Sequence, residues 1–139
     1  MTVALAAYDP VAQAVLVLSA DAAVRSSLAL LLRVEGFAVV VPATVEEAGL
    51  APCSPVGCIV LDHPGRAAAA DGLELAALVR LHRDAELILL ADGPDEPVLP
   101  RAPGLRLLVV LRKPLLDDGI VRWVDRALAR AALRADQRP

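Results

Sequence analysis

Aromatic residues are almost missing from this chain: one Trp, one Tyr and one Phe stand among 139 residues. Hydrophobic residues nevertheless make up 57%, so the core must be built from Leu, Val and Ala with little ring stacking. Such a composition suits buried parallel strands covered by Ala- and Leu-rich helices. Positive charge does not predominate: 14 Lys and Arg stand against 17 Asp and Glu. A formal net charge of −3 argues against a nucleic-acid partner or an anionic membrane surface. No apolar run reaches the roughly 18 residues that a membrane span needs. The opening MTVALAAYDPVAQ has no basic lead-in and carries an Asp-Pro break, which makes a poor signal peptide. A soluble, cytoplasmic protein is the expectation. Only two cysteines occur, Cys53 and Cys58. Their spacing fits no usual zinc pattern, and Cys58 opens an apolar run in which a thiol behaves as a small hydrophobe. The length allows one domain with a sizeable core over residues 1–139, with 1–13 as an extension and 135–139 as a tail.

What is present is an alternation of short apolar runs with helical stretches. AVLVL at 14–18 reads as a buried strand. Asp21 then looks like an N-cap, and Val24, Leu28, Leu31 and Leu32 share one face of a helix that ends at Gly36. FAVVV at 37–41 is a second strand, and Thr44 with Glu47 forms a capping box for a short helix. CIVL at 58–61 is a third strand ending on Asp62, and a helix follows from Asp71-Gly72. ELILL at 86–90 and LLVVL at 107–111 are the fourth and fifth strands, and a last helix spans 118–134. Five apolar strands alternating with helices mean a parallel sheet covered on both faces. In such sheets the functional residues gather at the carboxyl ends of the strands.

Those ends present Ser19 and Ala20, then Asp62, then Ala91, then Lys113-Pro114. Here the chain resembles the receiver domains of two-component response regulators, from about Val15 to Leu133. CIVLD resembles the strand that presents the phospho-acceptor aspartate, DGLEL the helix start after it, and LRKPL the Lys-Pro signature closing the fifth strand. The resemblance implies a flavodoxin-like, doubly wound α/β fold of strand order 2-1-3-4-5. It also implies a role in phosphorelay signal transduction: a signalling module that contacts a sensor kinase or a downstream signalling protein, and no enzyme. Asp62 matches the acceptor and Lys113 the site lysine. Of the 14 basic residues Lys113 alone is lysine, and a compact ammonium is not interchangeable with a guanidinium.

Other positions depart from the family pattern. Its metal-holding acidic pair matches Ser19 and Ala20, with the nearest carboxylate, Asp21, one place later. The hydroxyl position matches Ala91, and the switch aromatic matches Val110. Mg²⁺ would be left with Asp62 and Asp21, which is thin for an ion that demands octahedral oxygen ligation. No cofactor is therefore expected beyond weakly held Mg²⁺, and the reading is an atypical receiver acting by protein contact. Two alternatives stay open at this point: a phosphorylatable single-domain regulator using Asp62, and a small-ligand binder on the same fold. The second is weakened because the sequence has no glycine-rich phosphate loop.

Arg122, Arg126, Arg130 and Arg134 recur every four residues along the last helix, beside Trp123. The pattern fits a solvated face opposite Val121, Val124 and Leu128, or a docking stripe for an acidic partner. His63 and His82 read as ordinary loop residues. Pro94, Pro97, Pro100 and Pro103 fall at every third position between the fourth and fifth strands. Proline removes a backbone donor and clashes inside a helix, so the fourth helix should be disrupted. Backbone chemical shifts across 92–106 should show no helix of three or more turns; a continuous helical stretch there would contradict the reading.

Overall fold

The computed structural model describes residues 13–42, 55–62, 82–91, 104, 106–113, 115 and 118–137. Five parallel strands form one sheet in the order β2-β1-β3-β4-β5. They are β1 (Ala14–Leu18), β2 (Val39–Val40), β3 (Val56–Asp62), β4 (Glu86–Ala91) and β5 (Leu107–Arg112). Two helices belong to the described residues, α1 (Ala22–Val34) and α2 (Gly119–Asp136). The expected helices at 44–51 and after Asp71, and all of the proline-spaced crossover except Gly104 and Arg106, lie outside them.

The first helix is written into its ends. The Asp21 carboxylate accepts from the Ala23 and Val24 N–H groups, satisfying donors that the first turn leaves open. At the other end Gly36 takes φ +98°. Its N–H donates to the Arg33 carbonyl, and the Phe37 N–H donates to the Leu32 carbonyl. This paired closure needs a left-handed residue, which glycine supplies without Cβ strain. The second strand is accordingly shorter than the expected 37–41. Phe37 is engaged in closing the helix, and regular pairing is confined to Val39 and Val40.

The third strand is longer than expected at both ends. Val56 pairs with Ala14 across a bulge that leaves Gly57 as the extra residue, and Asp62 pairs with Leu90. A Cβ at Gly57 would lie 2.2 Å from the Gln13 side-chain oxygen, so a larger residue there would require the Gln13 side chain to move. The strands β1, β3 and β4 are buried almost throughout. One core cluster joins Val15, Val17, Val60, Ile88 and Leu90 to Leu28 and Leu32 of α1 and Ile120, Val124 and Ala127 of α2. Leu16, Ile59 and Leu87 form a second cluster, since neighbouring side chains on a strand point to opposite faces. Each such side chain contributes about 1.5–3 kcal/mol when fully buried. No helix among the described residues is long and apolar enough to cross a membrane.

One charge interrupts this apolar interior. Glu86, at the start of β4, is 2% exposed. Arg130 Nε meets its Oε1 at 2.5 Å and Arg134 Nη2 meets the same oxygen at 2.6 Å. Arg134 also donates to the Asp84 carbonyl. The last helix, which ends two residues later than expected, is thus tied to the amino-terminal edge of the sheet through two consecutive turns. Across the strand pair lies Cys58, a free and buried thiol. Burial pushes that thiol well above the usual cysteine range, and the Glu86 charge adds to the effect.

The clamp is asymmetric, because the arginines reach water and the glutamate does not. Losing both cations leaves a buried carboxylate uncompensated, a situation that costs about 3–5 kcal/mol. The Arg130→Met/Arg134→Met double variant should lose stability of that order in urea unfolding. Glu86→Leu should cost about 1 kcal/mol or less, since it leaves only side chains that can turn to solvent. Equal losses in the two variants would refute this account.

Candidate functional site

The carboxyl ends of β1, β3 and β5 bring three expected residues together. Asp62 is the last residue of β3, and the residue is 8% exposed. The Ser19 hydroxyl, one residue beyond β1, donates to Asp62 Oδ2 at 2.7 Å. Lys113, one residue beyond β5, forms an ion pair with Asp62 Oδ1. The lysine is held by its backbone as well, its N–H donating to the Ala91 carbonyl at the end of β4. Its side chain must then reach from β5 past the end of β4 to β3. Strands lie about 4.8 Å apart, and a four-carbon stem is suited to that reach.

Ser19 is positioned from three sides. Its hydroxyl accepts from the Asp21 N–H at 3.0 Å, and its carbonyl accepts from Arg25 Nη1 at 2.7 Å. The proton on Ser19 Oγ is therefore directed at Asp62. Ala20 is exposed in the turn and carries no ligand. Asp21, the nearest carboxylate, has its Oδ1 committed to capping α1. Ala91 is buried and Val110 half-buried on β5, and neither supplies a hydroxyl or a ring.

This donor set does not fit Mg²⁺. The ion needs oxygen ligands in near-octahedral array. Among the described residues the site offers one carboxylate, with one oxygen on an ammonium and the other on a hydroxyl, while the second carboxylate serves the helix. No group of three or more His, Cys, Asp or Glu side chains among the described residues could hold a metal.

The arginine stripe divides in two. Arg130 and Arg134 are engaged by Glu86, so both serve the fold. Arg122 remains at the surface, 3.6 Å from the equally exposed Asp118. The Arg126 guanidinium lies over the half-buried Trp123 ring, 4.8 Å from its centroid, a stacking contact worth about 0.5–1 kcal/mol at an exposed site. Nothing in the sequence pattern marks Glu86 as one of these site residues, beyond its standing as a lone carboxylate at the opening of an otherwise apolar strand. His82 is half-buried in the turn before β4. His63, Cys53 and Pro114 lie outside the described residues.

No family model matches the sequence, and no curated protein matches it. Solved structures do. A response-regulator receiver domain from Clostridium thermocellum is 15% identical with a TM-score of 0.66, covering 88% of this chain and 98% of its own. The chain has the receiver-domain fold. Full-length FixJ from B. japonicum is 25% identical with a TM-score of 0.66, over 89% of this chain. The receiver-type chain spans 61% of the length of FixJ. A protein described as an adenylate cyclase from Rhodopirellula baltica matches with a TM-score of 0.63 at 16% identity, over 90% of this chain and 93% of that one.

The Asp62–Lys113 contact should show measurable coupling. Lys113→Met leaves a nearly buried carboxylate with one neutral donor, whereas Asp62→Asn releases an ammonium that can turn to water. A double-mutant cycle over the two changes should give a coupling free energy of about 1–3 kcal/mol in unfolding experiments. Additive effects would mean that the pair is incidental.

Proposed function

We propose that this chain is a receiver-type signalling module that works through protein–protein contact, with little or no phosphorylation of Asp62. The observation that carries the reading is the closed state of the Asp62 carboxylate. Phosphoryl transfer to a carboxylate requires an oxygen free to attack and added positive charge for the transferred group. Here Lys113 neutralises the carboxylate itself, and Ser19 occupies its second oxygen. The Ser19 and Ala20 positions lack the two negative charges that would hold a cation, which leaves the direct ion pair as the resting arrangement. At Ala91 and Val110 nothing is present that could report a phosphoryl group to the rest of the domain.

Partner contact on this reading draws on the α2 surface that remains after Arg130 and Arg134 are discounted: Arg122, Arg126 and Trp123. Arginine and tryptophan are the residue types most enriched at interface hot spots. The partner would be a sensor kinase or a downstream signalling protein, and the module would act in the cytoplasm without catalysing a reaction of its own.

The test is a Mg²⁺ titration with a small phosphoryl donor, read by intact mass, alongside an Asp62→Asn control. Millimolar or weaker metal binding and no phosphoryl mass increment are expected. Replacing Ser19 and Ala20 by aspartate and Ala91 by threonine should improve metal binding first. Tight binding that vanishes in the control, with a phosphorylated unmodified chain, would replace this reading by that of a phosphorylatable regulator.

A further inference from the structure

The first helix has two faces of different character. Its inner face is buried through Leu28, Ala29 and Leu32. Its outer face carries Ala23, Ser27, Leu30 and Val34, all exposed. At 3.6 residues per turn these four fall within about 60° of one another around the helix. Leu30 is 66% exposed and Val34 73%, more than any other large apolar side chain among the described residues. No charge interrupts this face. The two arginines of α1 are turned to their own chain, Arg25 donating to the Ser19 carbonyl and Arg33 to the Val39 carbonyl.

The face has a small end, Ala23 and Ser27, and a large end, Leu30 and Val34. The two ends lie symmetrically about the middle of the helix. A second copy laid antiparallel therefore sets Val34 on Ala23 and Leu30 on Ser27, twice, in a single register. A two-fold axis closes such a contact, the same patch serving on both sides. Large side chains opposite small ones let helices approach and interdigitate. The Ser27 hydroxyl need not lose its partner there, because a helical serine can bond the carbonyl four residues earlier. Charge favours the same direction. Antiparallel pairing opposes the two helix dipoles and brings the exposed Glu35 beside the first turn of the other α1, its positive end. Parallel pairing would instead stack Leu30 on Leu30, hold the small ends apart and set Glu35 near Glu35. A second copy supplies both halves of the match from the same four residues.

We propose that the outer face of α1 is a self-association surface, on which two copies of this chain pair antiparallel through Leu30 and Val34. A helix of 13 residues is about 20 Å long. The contact therefore falls below the roughly 1,200 Å² at which stable interfaces begin, and the dimer is a weak one that forms with concentration. This inference does not draw on the state of Asp62 and stands whether or not that residue is phosphorylated.

The experiment is sedimentation equilibrium of the full chain. From roughly 10 μM to roughly 1 mM it should show a monomer–dimer equilibrium with a dissociation constant on the order of 0.1 mM. Leu30→Glu/Val34→Glu should raise that constant at least about tenfold. The urea midpoint should stay in place, since both side chains already face water. Ala23→Glu, which adds a carboxylate to the first turn and so suits the helix dipole, should weaken the dimer without weakening the fold. Val34→Lys should weaken the dimer as well. An equimolar mixture of Ala23→Glu and Val34→Lys chains should recover it, because antiparallel pairing alone sets position 23 of one copy against position 34 of the other. A monomer throughout the range overturns the proposal. So does a dimer indifferent to Leu30→Glu/Val34→Glu, which places the contact elsewhere, and so does a mixture that fails to recover, which excludes the antiparallel register.

Discussion

A carboxylate at the end of a central strand, less than one-tenth exposed, is costly to bury without partners. In this protein that need is met at Asp62 by Lys113 from one side and Ser19 from the other. The three residues come from β1, β3 and β5, so their meeting requires the strand order and the register together. Asp62 lies level with Leu90, and Arg112 with Ala91. A slip of one residue in either pair would turn side chains to the wrong face of the sheet and leave the carboxylate without its ammonium. The local geometry of Ser19 serves the same end, for the Asp21 N–H and Arg25 hold it with its proton toward Asp62.

The opposite edge of the sheet repeats the problem with a different solution. Glu86 is more deeply buried than Asp62 and is neutralised from a helix by two arginines one turn apart. Buried ion pairs of this sort are poor sources of net stability, yet removing one partner is strongly destabilising. The two carboxylates stand on the neighbouring strands β3 and β4, at opposite ends. Together they tie the sheet internally at its carboxyl edge and to α2 at its amino edge. The apolar clusters between them supply the bulk of the stabilisation and little information about orientation.

The fold is shared with response-regulator receivers, and on the proposed reading its site is an altered one. By resemblance, Asp62 and Lys113 match the acceptor and lysine positions, while Ser19, Ala20, Ala91 and Val110 stand where the family pattern has metal ligands, hydroxyl and aromatic ring. The charge that the family pattern would place on a cation is here balanced within the protein.

How much of this was legible in the sequence differs from element to element. The apolar runs of β1, β4 and β5, the Asp21 cap and the Gly36 terminus were readable because they depend on neighbours within a few residues. The candidate site was readable as a set of residues at strand ends, since apolar strands separated by helices constrain a parallel order. The ends of β2 and β3 were not, because they are decided by pairing: Phe37 closes a helix, and Val56 and Asp62 find partners on β1 and β4. The arginine periodicity named a helix face without saying what stood opposite it. Only the packing of α2 against the start of β4 brings Glu86, 44 residues from Arg130 in sequence, to the same point. Local chemistry and periodicity were set by the sequence alone; which charges neutralise one another was decided by tertiary structure, because burial and distance exist only once the strands are in register.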